Sequence, residues 1–96
     1  MFSTLCTKIN NPKILMESLK DLGLDVREDE DIRGYNGQSI RADIVVRLEG
    51  EYDLGFCLNI DGNFDIVADL WGVAKKHNQS ELINSIYRQY GVRQNY

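Results

Sequence analysis

"IRGYNGQSIRADIVVR", residues 32 to 47, sets two glycines three positions apart around a tyrosine and an asparagine, then runs into β-branched residues. Two readings compete for it: a loop that cradles phosphate, or a hairpin that reverses the chain. A phosphate-binding loop of the nucleotide-hydrolase type needs Gly-x-x-x-x-Gly-Lys-Ser/Thr between a strand and a helix. "GYNGQS" has no lysine and leads into a strand. A dinucleotide fingerprint fails for the same reason, and an RNA-binding GxxG loop needs a helix on each side. Asn36-Gly37 between extended segments is a strong hairpin signal, because both residues tolerate positive φ. The hairpin reading wins, and it commits this half of the chain to antiparallel pairing. It leaves Arg33, Tyr35 and Arg41 without a task around an otherwise simple turn.

Upstream, "FSTLCTKI" alternates as a first strand does. "NNPKILMESLKDLG" carries a full helix grammar, with Asn11 as N-cap, Pro12 at the first helical position and Gly23 just past the end. Ile14, Leu15, Leu19 and Leu22 fall on one face, with Glu17, Lys20 and Asp21 outward. The acidic run Glu28-Asp29-Glu30-Asp31 reads as a solvated edge or loop. Downstream of the hairpin, "RADIVVRLE" puts Ala42, Ile44, Val46 and Leu48 on one side and Asp43, Val45 and Arg47 on the other. "GEY" is a turn and "DLGFCLNI" a strand; "DGN" is a hairpin turn, and "FDIVADLWG" is a last strand with Phe64, Ile66, Ala68 and Leu70 inward. "NQSELINSIYRQYG" closes as a helix, with Asn78 and Glu81 as a capping-box variant and a stripe of Leu82, Ile83, Ile86, Tyr87 and Tyr90. Residues beyond Gly91 read as a frayed tail. The order β-α-β-β-β-β-α predicts an α+β, two-layer domain: an antiparallel β-meander with two helices packed on one face.

Ninety-six residues, 43% hydrophobic and 27% charged, suit a single domain spanning 1–96. The net charge of −4 argues against non-specific nucleic-acid binding and against a polybasic membrane-surface mode. No apolar run approaches the roughly 20 residues of a membrane span, and "MFSTLCTKIN" lacks the parts of a signal peptide. Cys6 and Cys57 are too isolated for a disulfide framework or a zinc site and read as buried or half-buried thiols in a reducing compartment. No metal or other cofactor is expected.

Three candidate chemistries arise. "DGNFD" has the one-three-five acidic spacing of a calcium loop, but Ile66 and Gly72 stand where that loop needs Gly and Glu, so the turn reading prevails. The lone His77, in the polar "KKHNQ", reads as a surface residue. The strand aspartates Asp43, Asp53, Asp65 and Asp69 have more to offer. Asp69 beside Trp71, over a floor of Val45 and Val67, would compose an exposed docking face. Paired carboxylates could instead do acid–base work. Cross-strand ion pairs to Arg41 or Arg47 are the plainer alternative.

The set "RGYNGQ…ADIVVRL", "YDLGF" and "DGNFDIVADLWG", together with the N-terminal "FSTLCTKI", resembles the hypothetical chloroplast reading frame 35 family of cyanobacteria and algal plastids, over essentially the whole chain. Leu70 stands where that family usually has a second Trp, and Cys57-Leu58 where a polar pair is common, which implies a reduced form of any Trp-based surface. The resemblance implies a plastid stromal or cyanobacterial cytoplasmic protein with a photosynthesis-related accessory role, and supplies no activity. The expectation is a non-enzymatic interaction or assembly module with a protein partner, bound through Arg33, Tyr35, Arg41, Asp69 and Trp71. The rival is a small enzyme or ligand-binding protein with a pocket near Arg33, Tyr35, Asp43 and Asp69, and a homo-oligomer burying the same face is a third possibility.

Overall fold

The computed structural model describes residues 2–48, 53–69 and 79–95. The Gly50–Tyr52 turn, Leu70, Trp71, His77 and Asn78 lie outside the described residues, as does the side chain of Tyr35. The elements are β1 (Ser3–Leu5), α1 (Pro12–Asp21), β2 (Asp25–Arg33), β3 (Ser39–Arg47), β4 (Asp53–Leu58), β5 (Phe64–Ala68) and α2 (Gln79–Gln94). The expected α+β order holds. The five strands form one antiparallel sheet in the order β1-β5-β4-β3-β2. β2 to β5 are the meander; β1 joins its far edge beside β5, so α1 connects the two opposite edges of the sheet.

Local chemistry explains the elements. Asn11 Oδ1 accepts from the Ile14 N–H at 3.1 Å, and Pro12 opens α1 without a wasted donor. At the other end Gly23, at φ 76, lets its N–H reach the Lys20 carbonyl and the Leu24 N–H reach that of Leu19, a Schellman ending. The β2–β3 connection is a short turn over Tyr35–Gly37, with Asn36 at φ 57 and Gly37 at φ 75. Both residues foreseen at positive φ are there.

One face of the sheet packs on the helices. Ile44, Val46, Leu54, Phe56, Phe64, Ile66 and Ala68 meet Leu15 and Leu19 of α1 and Ile86 and Tyr90 of α2. The alternation of β5 supplies its part of this layer as read, Leu54 and Phe56 of β4 join it, and Tyr87 is more than a third exposed. α2 runs on to Gln94, which corrects the frayed tail: Arg93 pairs with Asp21 and Glu17 and ties the last turn to α1.

The other face is not exposed, contrary to the sequence reading. Val45 and Val67 are buried in a second cluster with Ile32 and Ala42, edged by Phe2 and Cys57. The β2–β3 hairpin folds back to cover them. Its ladder skips the Asp29–Asp43 position, where Asp29 adopts φ 53, and beyond that break Ala42 no longer shares a layer with Ile44. Gly55 makes the close approach workable: a Cβ there would stand 2.9 Å from the Ala42 Cβ and 3.0 Å from Ile32 Cγ2.

β1 is shorter than the alternation of Phe2–Ile9 suggested. After Leu5 the Thr7 hydroxyl donates to the Phe64 carbonyl and accepts from the Ile9 N–H, closing the strand with a side chain. As an outer strand β1 leaves Cys6 exposed, which corrects the buried-thiol expectation for that residue; Cys57 is half-buried as expected.

Candidate functional site

Asp53 begins β4, on the side of that strand that carries Gly55 and Cys57. Its carboxylate is 0% exposed. It takes the Arg33 backbone N–H and Nε at 2.8 Å each, Arg33 Nη2 at 2.7 Å and Arg47 Nη1 at 2.7 Å. Arg47 lies directly across the β3–β4 ladder from Asp53. Its Nη2 donates to Glu30 at 2.6 Å, which extends the network back to β2. Arg33 arrives by the fold-back, because its own ladder partner is Ser39, at the far end of β3 from Arg47.

Burial pushes the Asp53 carboxyl up, but the Arg33 hydrogen bonds and the charges of Arg33 and Arg47 outweigh it and hold the group below its ordinary value. A carboxylate with four donors on it and two guanidinium charges beside it is a poor proton acceptor at neutral pH. Asp69 is 1% exposed, and the β4–β5 register carried one residue further sets it opposite Asp53. Two buried aspartates therefore close one end of the sheet. The exposed face predicted for Asp69 is corrected: Asp69 is itself buried, and its apolar floor of Val45 and Val67 lies in the second cluster with Ile32 and Ala42 of the hairpin.

The remaining candidates separate. Arg33 reaches Asp53, and its side chain keeps 45% exposure. Arg41 stands out on the hairpin and pairs with Asp29 at 3.1 Å. Asp43 accepts the Leu58 N–H at 2.7 Å, at the opposite end of β4 from Asp53. Five residues of strand span ~17 Å, so Arg33 and Asp43 do not share one pocket. Asp65 takes the Asn59 side-chain amide, and Asn59 Oδ1 in turn accepts the N–H groups of Asp61 and Asn63. The "DGNFD" aspartates thus belong to a turn organised by Asn59, with Gly62 at φ 85. Among the described residues no three His, Cys, Asp or Glu side chains group as a metal site, and no helix is long and apolar enough to cross a membrane.

Sequence reasoning passed over two features. The first is the closing of Arg33 onto Asp53, beside the cross-strand Arg47 pair that was among the alternatives; the signal that could have shown it is Gly55, since glycine inside a strand marks the close approach of another segment. The second is a cleft of about 570 Å³ at the opposite end of the sheet, lined by Cys6, Thr7, Lys8, Ile9, Asn59, Asp61, Asn63, Tyr87, Tyr90, Gly91 and Gln94. The Tyr90 hydroxyl accepts the N–H groups of Asn10 and Asn11 at 3.3 and 3.2 Å, and Ile60, on the neighbouring turn, is fully exposed.

No solved structure matches the chain. The chain is 29% identical over 90 residues to the uncharacterised protein ycf35 of Guillardia theta, covering 93% of this chain and 70% of that one. Residues 18–95, from the middle of α1 to the end of α2, match the family described as protein of unknown function DUF1257. The likeness carried by the hairpin and the "DGNFDIVADLWG" strand is therefore one of descent, and the chain belongs to the DUF1257 family, to which no function is assigned.

Proposed function

We propose that this chain acts as one domain and as a non-enzymatic protein-interaction or assembly module. Its docking surface is the outer part of the β2–β3 hairpin, with Arg33, Tyr35 and Arg41, joined by Trp71. The Asp53 clamp is the observation that supports this reading. It fixes the hairpin against the sheet while leaving half of Arg33 and most of Arg41 in solvent. A surface ordered before binding loses little entropy on association, whereas a carboxylate saturated by two arginines offers nothing to acid–base chemistry. The acidic net charge favours a protein partner over nucleic acid. The family resemblance suggests the plastid stroma or cyanobacterial cytoplasm and a photosynthesis-related accessory role.

A photo-crosslinking side chain at the exposed Gln38, in cells that make the protein, tests this. One reproducible protein adduct is expected, lost on Arg41→Glu and weakened by Trp71→Ala. Absence of an adduct, or one indifferent to both substitutions, overturns the reading. The cleft beside Tyr87 favours a second reading, small-ligand binding, since its volume falls within the few hundred to a thousand Å³ of ligand sites. Ligand-observed NMR with a metabolite set decides that one: binding lost on Tyr87→Ala supports it, and no binding removes it.

A further inference from the structure

We propose that the outer edge of β1 joins two copies of this chain into one continuous antiparallel sheet. Among the described residues the sheet has two open edges, and they are built differently. β2 carries Asp25, Glu28, Asp29, Glu30 and Asp31, and Asp29 breaks its extended backbone at φ 53. Charge and a local backbone break are two of the devices by which an edge strand refuses another strand. β1 has neither, and only its three-residue length limits pairing. Ser3, Thr4 and Leu5 are uncharged and exposed along their whole length, and Cys6 after them is exposed as well. Their outward backbone groups form an uncharged template for strand addition.

Symmetry and charge select a second copy as the occupant. A two-fold axis at Thr4 sets Thr4 against Thr4 and Ser3 against Leu5, so the short edge complements itself. Threonine pairs across antiparallel strands are favourable. A chain of net charge −4 repels its copy in most orientations. Pairing through β1 carries the two acidic β2 edges to the far sides of the joined sheet. Four strand spacings separate β1 from β2, so those edges stand ~40 Å apart, several Debye lengths at physiological salt. Leu5 and Tyr87, each more than a third exposed, add apolar surface on the helix side of the same edge.

Sedimentation equilibrium of the full chain under reducing conditions, across the micromolar range, tests the proposal together with amide hydrogen exchange. The wild type should reach twice the 11.0 kDa chain mass. Thr4→Lys, which sets like charges against each other across the axis, should weaken dimerisation by about tenfold or more. Protection of the Ser3–Leu5 amides in the wild type should rise with concentration while that of Asp25–Arg33 stays constant. The exchange result decides the matter if Thr4→Lys fails to fold. A wild type that stays at the single-chain mass, or a dimer whose β1 amides gain no protection, overturns the proposal, and strand capture by a different protein would then be the remaining use of this edge.

Discussion

Asp53 is the residue on which the second layer depends. It sits in a buried position that only two arginines make tolerable, because an isolated carboxylate there would be protonated or expelled. Asp53→Asn keeps the shape and removes the charge, leaving Arg33 and Arg47 facing a neutral amide. Removing one partner of a buried pair costs about 3–5 kcal/mol, and the half-exposed Arg33 places this case at ~3 kcal/mol. Urea unfolding should show the loss as a lower midpoint. The sign with pH follows from the depressed carboxyl value: its contribution is present above the unfolded-state pKa and fades as pH falls through the folded one. Asp53→Asn should therefore lose part of the acid sensitivity of the wild type. Gly55 is the apolar counterpart. With the Ala42 Cβ 2.9 Å from the position of a new methyl, Gly55→Ala should cost about 1–3 kcal/mol in the same assay, by pushing the hairpin off the sheet.

At the scale of elements, one local turn and one long-range tie fix how the parts sit. The β2–β3 turn places Asn36 at positive φ, which asparagine tolerates and alanine does not. Asn36→Ala should lower stability by about 1 kcal/mol and Asn36→Gly by much less, read from thermal melts. The helices are tied by Arg93, which meets Asp21 and Glu17, with Gln89 also donating to Asp21. The Arg93 hydrogen bonds hold the Asp21 carboxyl at about 2, against an ordinary 3.8. Stability from this tie is complete above the ordinary value and disappears as pH drops from 3.8 to about 2. Arg93→Gln should flatten the dependence of melting temperature on pH within that window and leave it unchanged near neutrality except for a small uniform loss. Only one of these arrangements had a signature in the chain: Asn36-Gly37 announces a turn between neighbours in sequence, whereas nothing near Arg93 points to a helix more than seventy residues earlier.

Across the whole molecule, what was legible followed from local chemistry. Asn11-Pro12 and Gly23 bound α1 because caps are satisfied by neighbours in sequence. Phe64, Ile66 and Ala68 faced the helices because period-two alternation is a property of one strand. The unbroken alternation of "RADIVVR" also misled, since it assigned Ala42 and Ile44 to one layer. The ladder breaks between them at Asp43, and the reason is tertiary: covering Val45, Val67 and Gly55 rewards a bent hairpin over a straight one. The same event buries Asp53 and the Val45–Val67 floor, so the exposed floor and the four-residue pocket expected from the sequence failed for one cause. β1 was read as a strand, but its place beside β5 depends on a connection across the sheet that no local pattern records. What results is a two-layer fold with a second, smaller core beneath its own hairpin, held by a saturated carboxylate. The most direct measurement is the pH titration of the Asp53 carboxyl carbon by NMR in the intact protein. A latch that displays the hairpin requires a midpoint below 3.8, with the Arg33 amide signal shifting in step. A midpoint displaced upward toward neutrality would mean a carboxyl free to exchange protons, and would contradict the account.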